Sequence, residues 1–200
     1  MSNYNAKVSN AKLAIWLFLS SDFLFFGAFI SAFVLYRGKN IAINQGVEDA
    51  PKLLHEVLDI PFTSVTSFVL LMSSLTMVLA LSAIKRGDAF KMKLWLAATV
   101  LFGTIFIGGQ IFEFTSFVRE GFRLDTNLSS SSFFILTGLH GAHVTIGIVW
   151  LLVLLNMAFI GDFTKADAEK VEIAGLYWHF VDVVWIVIFT LVYLIPIDAK

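Results

Sequence analysis

The segment Gly175–Trp185 places two ionisable side chains, His179 and Asp182, in an apolar stretch that continues to Leu194. In a membrane-spanning helix such groups are costly, so they are usually paired inside the bundle and commonly mark a functional site. His179 and Asp182 are three residues apart and therefore share one helix face. Glu172, seven residues before His179, is expected near the same face.

Two further acids lie in apolar stretches. Asp22 follows Ser20 and Ser21 about ten residues into the first stretch, which places it roughly 15 Å deep, near a bilayer midplane. That position fits a proton-relay group, an anchor for a buried polar contact, or a neutral acid hydrogen-bonded to a neighbouring helix. Glu113 lies near the end of the third stretch, where an interfacial position is favoured.

A pair of histidines, His140 and His143, lies three residues apart on one predicted helix face. This spacing fits a metal pair, haem ligation, or two histidines whose hydrogen bonds hold helices together. Without a third ligand it is a weak metal signal. Gly138 and Gly141 have the same spacing and predict a flat patch for tight helix packing.

The composition is that of an integral membrane protein. The 200 residues are 58% hydrophobic and only 14% charged, and the mean hydropathy is +0.83; soluble domains carry about 25% charged residues. A membrane helix needs about 20 mostly apolar residues. We therefore predict an all-α, polytopic membrane helix bundle forming a single membrane domain over residues 1–200. Its five transmembrane helices are expected at about 12–36, 61–84, 93–118, 132–160 and 173–195.

Basic residues predict how the chain is oriented. The loop between the second and third spans contains Lys85, Arg86, Lys91 and Lys93, and such loops favour the cytoplasmic side. The N-terminus is therefore expected inside and the C-terminus outside. A net charge of −1 gives no support for a nucleic-acid partner, and the absence of cysteine excludes disulfides, thiolate nucleophiles and iron–sulfur ligation.

The alternating direction of the spans assigns a depth to each ionisable residue. Glu172, His179 and Asp182 are expected towards the inner side, and Asp22 between the two sides. The outer set is Glu113, His140 and His143. Because a metal site needs its ligands at one depth, this division argues against a single metal centre. It fits two polar belts that hold helices together or hold lipid headgroups.

Aromatic residues near span ends predict anchors at the membrane interface. This set is Trp16, Trp95, Trp150, Tyr177, Trp178 and Tyr193. Trp185 lies deeper in its span and is expected to pack inside the bundle. No phosphate-binding loop, nucleophile elbow or paired-carboxylate arrangement is found in the sequence.

Three stretches together resemble subunit III of the haem–copper respiratory oxidases. They are Leu17–Phe26, Phe133–Gly147 and Glu172–Trp185, and their order and spacing also match. The resemblance covers residues 12–195. The family usually has Glu where this chain has Asp22, so the carboxyl reaches one methylene less. The family often has seven helices and a cleft that holds lipids; this chain is similar to a five-helix version that lacks the first two.

The resemblance implies a subunit with no redox cofactor and no catalytic residue of its own. Haem and copper would lie in the partner catalytic subunit I, which reduces oxygen to water and pumps protons. Subunit III would pack against it, support proton uptake, protect its active site and bind phospholipid. Subunit II, further small subunits or a supercomplex are the other expected partners, in a bacterial plasma membrane. The positions carried over as structural or lipid-contacting are Asp22, Glu113, His140, His143, Glu172, His179 and Asp182.

Two other classes of function remain as alternatives. A stand-alone haem or metal membrane enzyme would use His140, His143 and His179. A small ion transporter would use Asp22 and Asp182, although the five spans show no inverted repeat.

Overall fold

The computed structural model describes residues 9–37, 58–125, 128–161 and 163–195, and in this part of the chain all regular structure is helical. Within these ranges five helices are long and apolar enough to cross a membrane, which confirms the predicted bundle. The elements are α1 (Asn10–Arg37), α2 (Ile60–Arg86), α3 (Ala89–Arg119), α4 (Leu128–Ile160), a 3₁₀ turn (Lys165–Asp167), α5 (Ala168–Phe189) and a π-helix (Thr190–Leu194) that continues α5. The N-terminus was predicted inside and the C-terminus outside. Residues 1–8 and 196–200, to which these predictions apply, lie outside the described residues.

The helices begin one to five residues before the predicted span starts, and the largest difference arises where the first turns are polar. The fifth span, predicted from residue 173, belongs to a helix that begins at Ala168. Its first turns contain Glu169, Lys170 and Glu172. The predicted span did not include them because it was based on a run of apolar residues. Helix formation needs only backbone hydrogen bonds, so it extends into the interface where polar side chains are solvated.

A tight connection of two residues joins α2 to α3. Gly87 has φ +86°, a left-handed conformation that a side chain would disfavour, and it ends α2. Asp88 then begins α3 by accepting a hydrogen bond from the Lys91 N–H at 3.0 Å. That hydrogen bond, with the Lys91 ammonium 3.0 Å from the carboxylate, holds the pKa of Asp88 below its usual value. The short loop makes α2 and α3 antiparallel neighbours.

The fifth helix is the most enclosed element, and the first is the least. α5 packs against α1, α2 and α4, and α3 packs against α2 and α4. In the apolar part of α5 50% of the residues are buried, compared with 17% in α1. α1 contacts only α4 and α5 extensively and therefore lies at the edge of the bundle.

Trp178 lies in the core of the bundle, not at the membrane interface as predicted. Its exposed fraction is 1%, and its indole N–H donates to the Ser73 hydroxyl at 2.8 Å. Gly103 and Gly147 make room for the ring: a Cβ at these positions would lie 2.6 Å and 2.9 Å from it. Tyr177 and Tyr193 are also buried, whereas Trp185 packs inside the bundle as predicted. Position along a span does not determine which way a side chain faces, and these three rings face the inside of the bundle.

The predicted glycine patch on α4 is only partly used for packing within the chain. A Cβ at Gly141 would lie 2.7 Å from the Gln110 side-chain oxygen, so α3 does approach closely there. A Cβ at Gly138 would meet nothing within 4 Å. α2 and α3 also approach closely at Gly109, where a Cβ would lie 2.7 Å from Thr66.

Candidate functional site

Asp22 and His143 join α1 to α4. Asp22 Oδ2 lies 3.4 Å from His143 Nε2, and both side chains are mostly buried. The Phe26 ring packs edge-on against the imidazole at 4.9 Å, and the Tyr177 hydroxyl donates to the His143 carbonyl at 2.9 Å. The sequence placed Asp22 and His143 at different depths, so this contact was not predicted.

The second ring nitrogen of His143 fixes its tautomer. Nδ1 lies 2.7 Å from the Leu139 carbonyl, which can only accept, so Nδ1 carries a hydrogen. Nε2 faces Asp22 Oδ2 at 3.4 Å, an electrostatic contact without hydrogen-bond geometry. This contact holds the peripheral helix α1 against α4.

His140 points away from His143. It is completely buried, with its ring stacked on Trp185 at 4.8 Å and 24° and the Phe106 ring edge-on at 6.0 Å. Neither ring nitrogen has a hydrogen-bond partner among the described residues. Since His140 faces α3 and α5 while His143 faces α1, the two rings do not converge on one metal position.

Glu113 is buried in a small network at the predicted outer ends of three elements. Its Oε1 lies 2.5 Å from Thr63 Oγ1 on α2, and the Tyr193 hydroxyl donates to Oε2 at 3.2 Å. Thr63 Oγ1 is also 2.9 Å from the Asp59 carbonyl and has only one hydrogen to give. With Thr63 donating to that carbonyl, a neutral Glu113 completes the network. With 5% of its surface exposed, Glu113 is not interfacial as the sequence favoured.

The π-helix at the end of α5 brings Tyr193 to this network. Its wider turn ends with the Ile195 N–H donating to the Thr190 carbonyl at 3.1 Å. Such turns place residues at angles that a regular α-helix does not reach. Arg37, the last residue of α1, donates to the Leu191 carbonyl and so ties the end of α1 to the π-helix.

Glu172 forms an ion-pair cluster at the opposite end of the bundle. It accepts from Lys12 Nζ on α1 at 2.9 Å and lies 3.5 Å from Lys85 Nζ on α2. Ser9 also donates to Glu169, so two acids at the start of α5 hold the start of α1. The sequence analysis grouped Glu172 with His179 and Asp182, but the ion pairs described here join Glu172 to neither residue.

His179 and Asp182 both face Ser74 on α2. His179 Nδ1 is 2.6 Å from Ser74 Oγ. Asp182 is 3% exposed; the Ser74 hydroxyl is within electrostatic reach of its carboxyl but does not form a hydrogen bond of normal geometry. The shared face predicted for these two residues is therefore correct, and its partner is a serine of another helix.

An apolar cleft of about 610 Å³ lies between α1 and α5. Trp16, Phe23 and Phe180 are its aromatic walls, and His179 and Ser20 are its polar side chains. Ser20 donates to the Trp16 carbonyl of its own helix at 2.8 Å. His179 Nδ1 is held by Ser74, so Nε2 is the ring nitrogen left for a group bound in the cleft.

The ionisable residues therefore form five separate contacts between helices. Across the described ranges, no group of three or more His, Cys, Asp or Glu side chains is placed to hold a metal ion. These contacts can hold the helices in fixed positions relative to one another and determine which side-chain atoms carry a hydrogen. Sequence reasoning missed Thr63, Ser74 and Lys85 as partners; the run of hydroxyl residues in α2 was the available signal.

Comparison with known proteins gives consistent matches. A model of the family "Cytochrome c oxidase subunit III" matches residues 2–196. The chain is 40% identical over 184 residues to "Probable quinol oxidase subunit 3" of Staphylococcus saprophyticus, covering 92% of this chain and 88% of the relative. It is 40% identical over 192 residues to "Cytochrome c oxidase subunit 3" of Alkalihalophilus pseudofirmus, covering 95% and 89%. The corresponding protein of Bacillus sp. strain PS3 is 36% identical, with 96% and 89% covered.

Proposed function

Because the chain belongs to the cytochrome c oxidase subunit III family, we propose that it packs in the membrane against a catalytic subunit I and a subunit II. It is a non-catalytic subunit of a haem–copper terminal oxidase and a multi-pass bacterial membrane protein. The haems and copper reside in the partner subunits, and residues 1–200 act as one membrane domain. The match along residues 2–196 carries this proposal.

The contacts between helices support a scaffolding role. α1 is held at three depths: by the acids of α5 at its start, by Asp22 and His143 in its middle, and by Arg37 at its end. A helix fixed in this way presents a constant surface to a partner. The same rigidity would protect the active site of the catalytic subunit and support proton uptake into it.

We also propose that the chain binds lipid and that it has a defined orientation in the membrane. The apolar cleft between α1 and α5 is the described surface best suited to hold lipid. The end of the bundle with Lys12, Lys85, Lys91 and the Glu172 cluster is placed on the cytoplasmic side, as the density of basic residues favours.

A mild-detergent pull-down on this chain tests the assembly. The preparation would be examined by mass spectrometry and by a reduced-minus-oxidised visible spectrum. We expect a haem- and copper-bearing partner to co-purify, with spectral bands that remain on that partner when the chain is removed. A chain that purifies alone would overturn the proposal: with its own haem it would be a cytochrome, and ion flux in liposomes would make it a transporter.

A further inference from the structure

The cleft between α1 and α5 is lined by the imidazole of His179 at a depth where a phospholipid has no hydrogen-bonding group. His179 lies six residues past residue 173, where the apolar stretch begins after the polar first turns of α5, and therefore about 9 Å into the hydrocarbon core. At this depth a phospholipid offers only its acyl chains, since its headgroup and ester groups lie at the interface. A ligand that uses the imidazole must carry a hydrogen-bonding group on a long apolar body.

The walls of the cleft favour a flat ring. Trp16 and Phe23 on α1 and Phe180 on α5 line it, and aromatic faces pack well against other rings. Along α1 the lining runs from Trp16 to Leu24, about 12 Å at 1.5 Å per residue. The volume of about 610 Å³ falls within the usual range for small-molecule sites, about 300–1,000 Å³.

The hydrogen-bond chemistry behind His179 suits a ligand that has both a hydroxyl and a carbonyl form. Ser74 Oγ can donate to Nδ1 or accept from it. When Ser74 donates, Nε2 carries the hydrogen and can donate to a ring carbonyl. When Ser74 accepts, Nε2 accepts from a ring hydroxyl. The buried Asp182 beside Ser74 has no other partner for its oxygens among the described residues, so it can take part in this reorientation.

We propose that the α1–α5 cleft binds the ring of a prenylated quinol or quinone, hydrogen-bonded to His179 Nε2. The prenyl tail leaves along the apolar wall into the bilayer. At this cleft the ring is bound and no electron is transferred. The proposal narrows the lipid binding proposed above to one lipid class and rests on it.

Photolabelling of the purified oxidase complex tests this site. The probe is an azidoquinone with a prenyl tail, and a phospholipid with a photoreactive acyl chain is used in parallel. We expect the quinone probe to label peptides that contain Trp16–Leu24 or Leu176–Val183. His179→Phe should lower this labelling about tenfold, as one lost hydrogen bond implies, while His179→Gln should retain most of it.

Matched serine variants separate the site from general damage. Ser74→Ala should lower the labelling, whereas Ser64→Ala, whose hydroxyl bonds only the Ile60 carbonyl of its own helix, should not. Equal quinone labelling in His179→Phe and the parent would overturn the proposal, as would acyl-chain labelling of the cleft that added quinol does not displace. Haem content is measured in the same samples as a separate report on assembly. Absence of haem from the parent preparation would show that the oxidase proposal itself fails. Haem without quinone labelling would overturn the quinone site alone.

Discussion

Asp22 on α1 and His143 on α4 face each other, with Oδ2 3.4 Å from Nε2, and this contact holds the middle of the least buried helix. Each side chain lies in an apolar span, and removing one would leave the Asp22 carboxyl or the His143 Nε2 without its partner on the other helix. Unpaired polar groups of this kind cost about 1–3 kcal/mol in proteins. The pair therefore determines how firmly α1 stays with the bundle.

Replacing Asp22 tests this role directly. Asp22→Asn should leave assembly largely intact because the amide can donate a hydrogen bond to His143 Nε2, whereas Asp22→Leu should weaken retention of the subunit in the complex. Subunit yield and lipid content after purification are the measurements. Ser21→Ala is the control, since Ser21 is exposed and bonds only the Phe18 carbonyl. Equal subunit yields for Asp22→Leu and the parent would contradict the anchoring role of Asp22.

The two histidines of α4 should respond differently to substitution by phenylalanine. His140→Phe keeps the stack on Trp185 and removes ring nitrogens that have no partner, so stability should stay equal or rise by about 1–2 kcal/mol. His143→Phe should lower stability by about 1–3 kcal/mol because it leaves Asp22 unpaired. Thermal unfolding of the solubilised complex measures both. A loss of bound haem in His140→Phe alone would instead favour ligation by His140.

The glycine cradle of Trp178 predicts a packing defect. In Gly103→Ala the new methyl would lie 2.6 Å from the buried ring, so the ring must shift, at a cost of about 1–3 kcal/mol. Near-ultraviolet circular dichroism and thermal unfolding would detect the shift and the loss. Gly27→Ala is the matched control, because a Cβ there meets nothing within 4 Å. A Gly103→Ala protein as stable as Gly27→Ala would contradict the described contact.

The fold could be predicted from the sequence, but the pairing of its polar residues could not. Apolar length was sufficient to predict five helices, since each span is determined by its own residues. His179 and Asp182 stood out because ionisable residues are rare in such spans. Their partner Ser74 lies 105 residues before His179 and is one of many hydroxyl residues in α2. Choosing it requires the rotation of each helix about its axis, which tertiary packing sets.

The same limit explains the wrong assignment of Trp178. Its position along the span does not tell whether the ring faces lipid or the core. Gly103 and Gly147, which accommodate the ring, lie on two other helices. Glu113 was misjudged for a related reason, because the π-helix that brings Tyr193 to it has no clear sequence signal.

The connection between α2 and α3 predicts a pH dependence. The pKa of Asp88 is held below its usual value of 3.8 by the Lys91 N–H and ammonium, so ionised Asp88 favours the folded chain. A lowered folded pKa stabilises above the unfolded pKa, and this stabilisation is lost as the pH falls through the folded pKa. Asp88→Ala should therefore lower the melting temperature at about pH 6, and its difference from the parent should shrink towards about pH 3. Asp88→Asn, which keeps a capping oxygen without a charge, should lie between the two and lack the parent's change with pH. A parent–alanine difference that is constant across this range would show that the carboxylate charge contributes nothing to the start of α3.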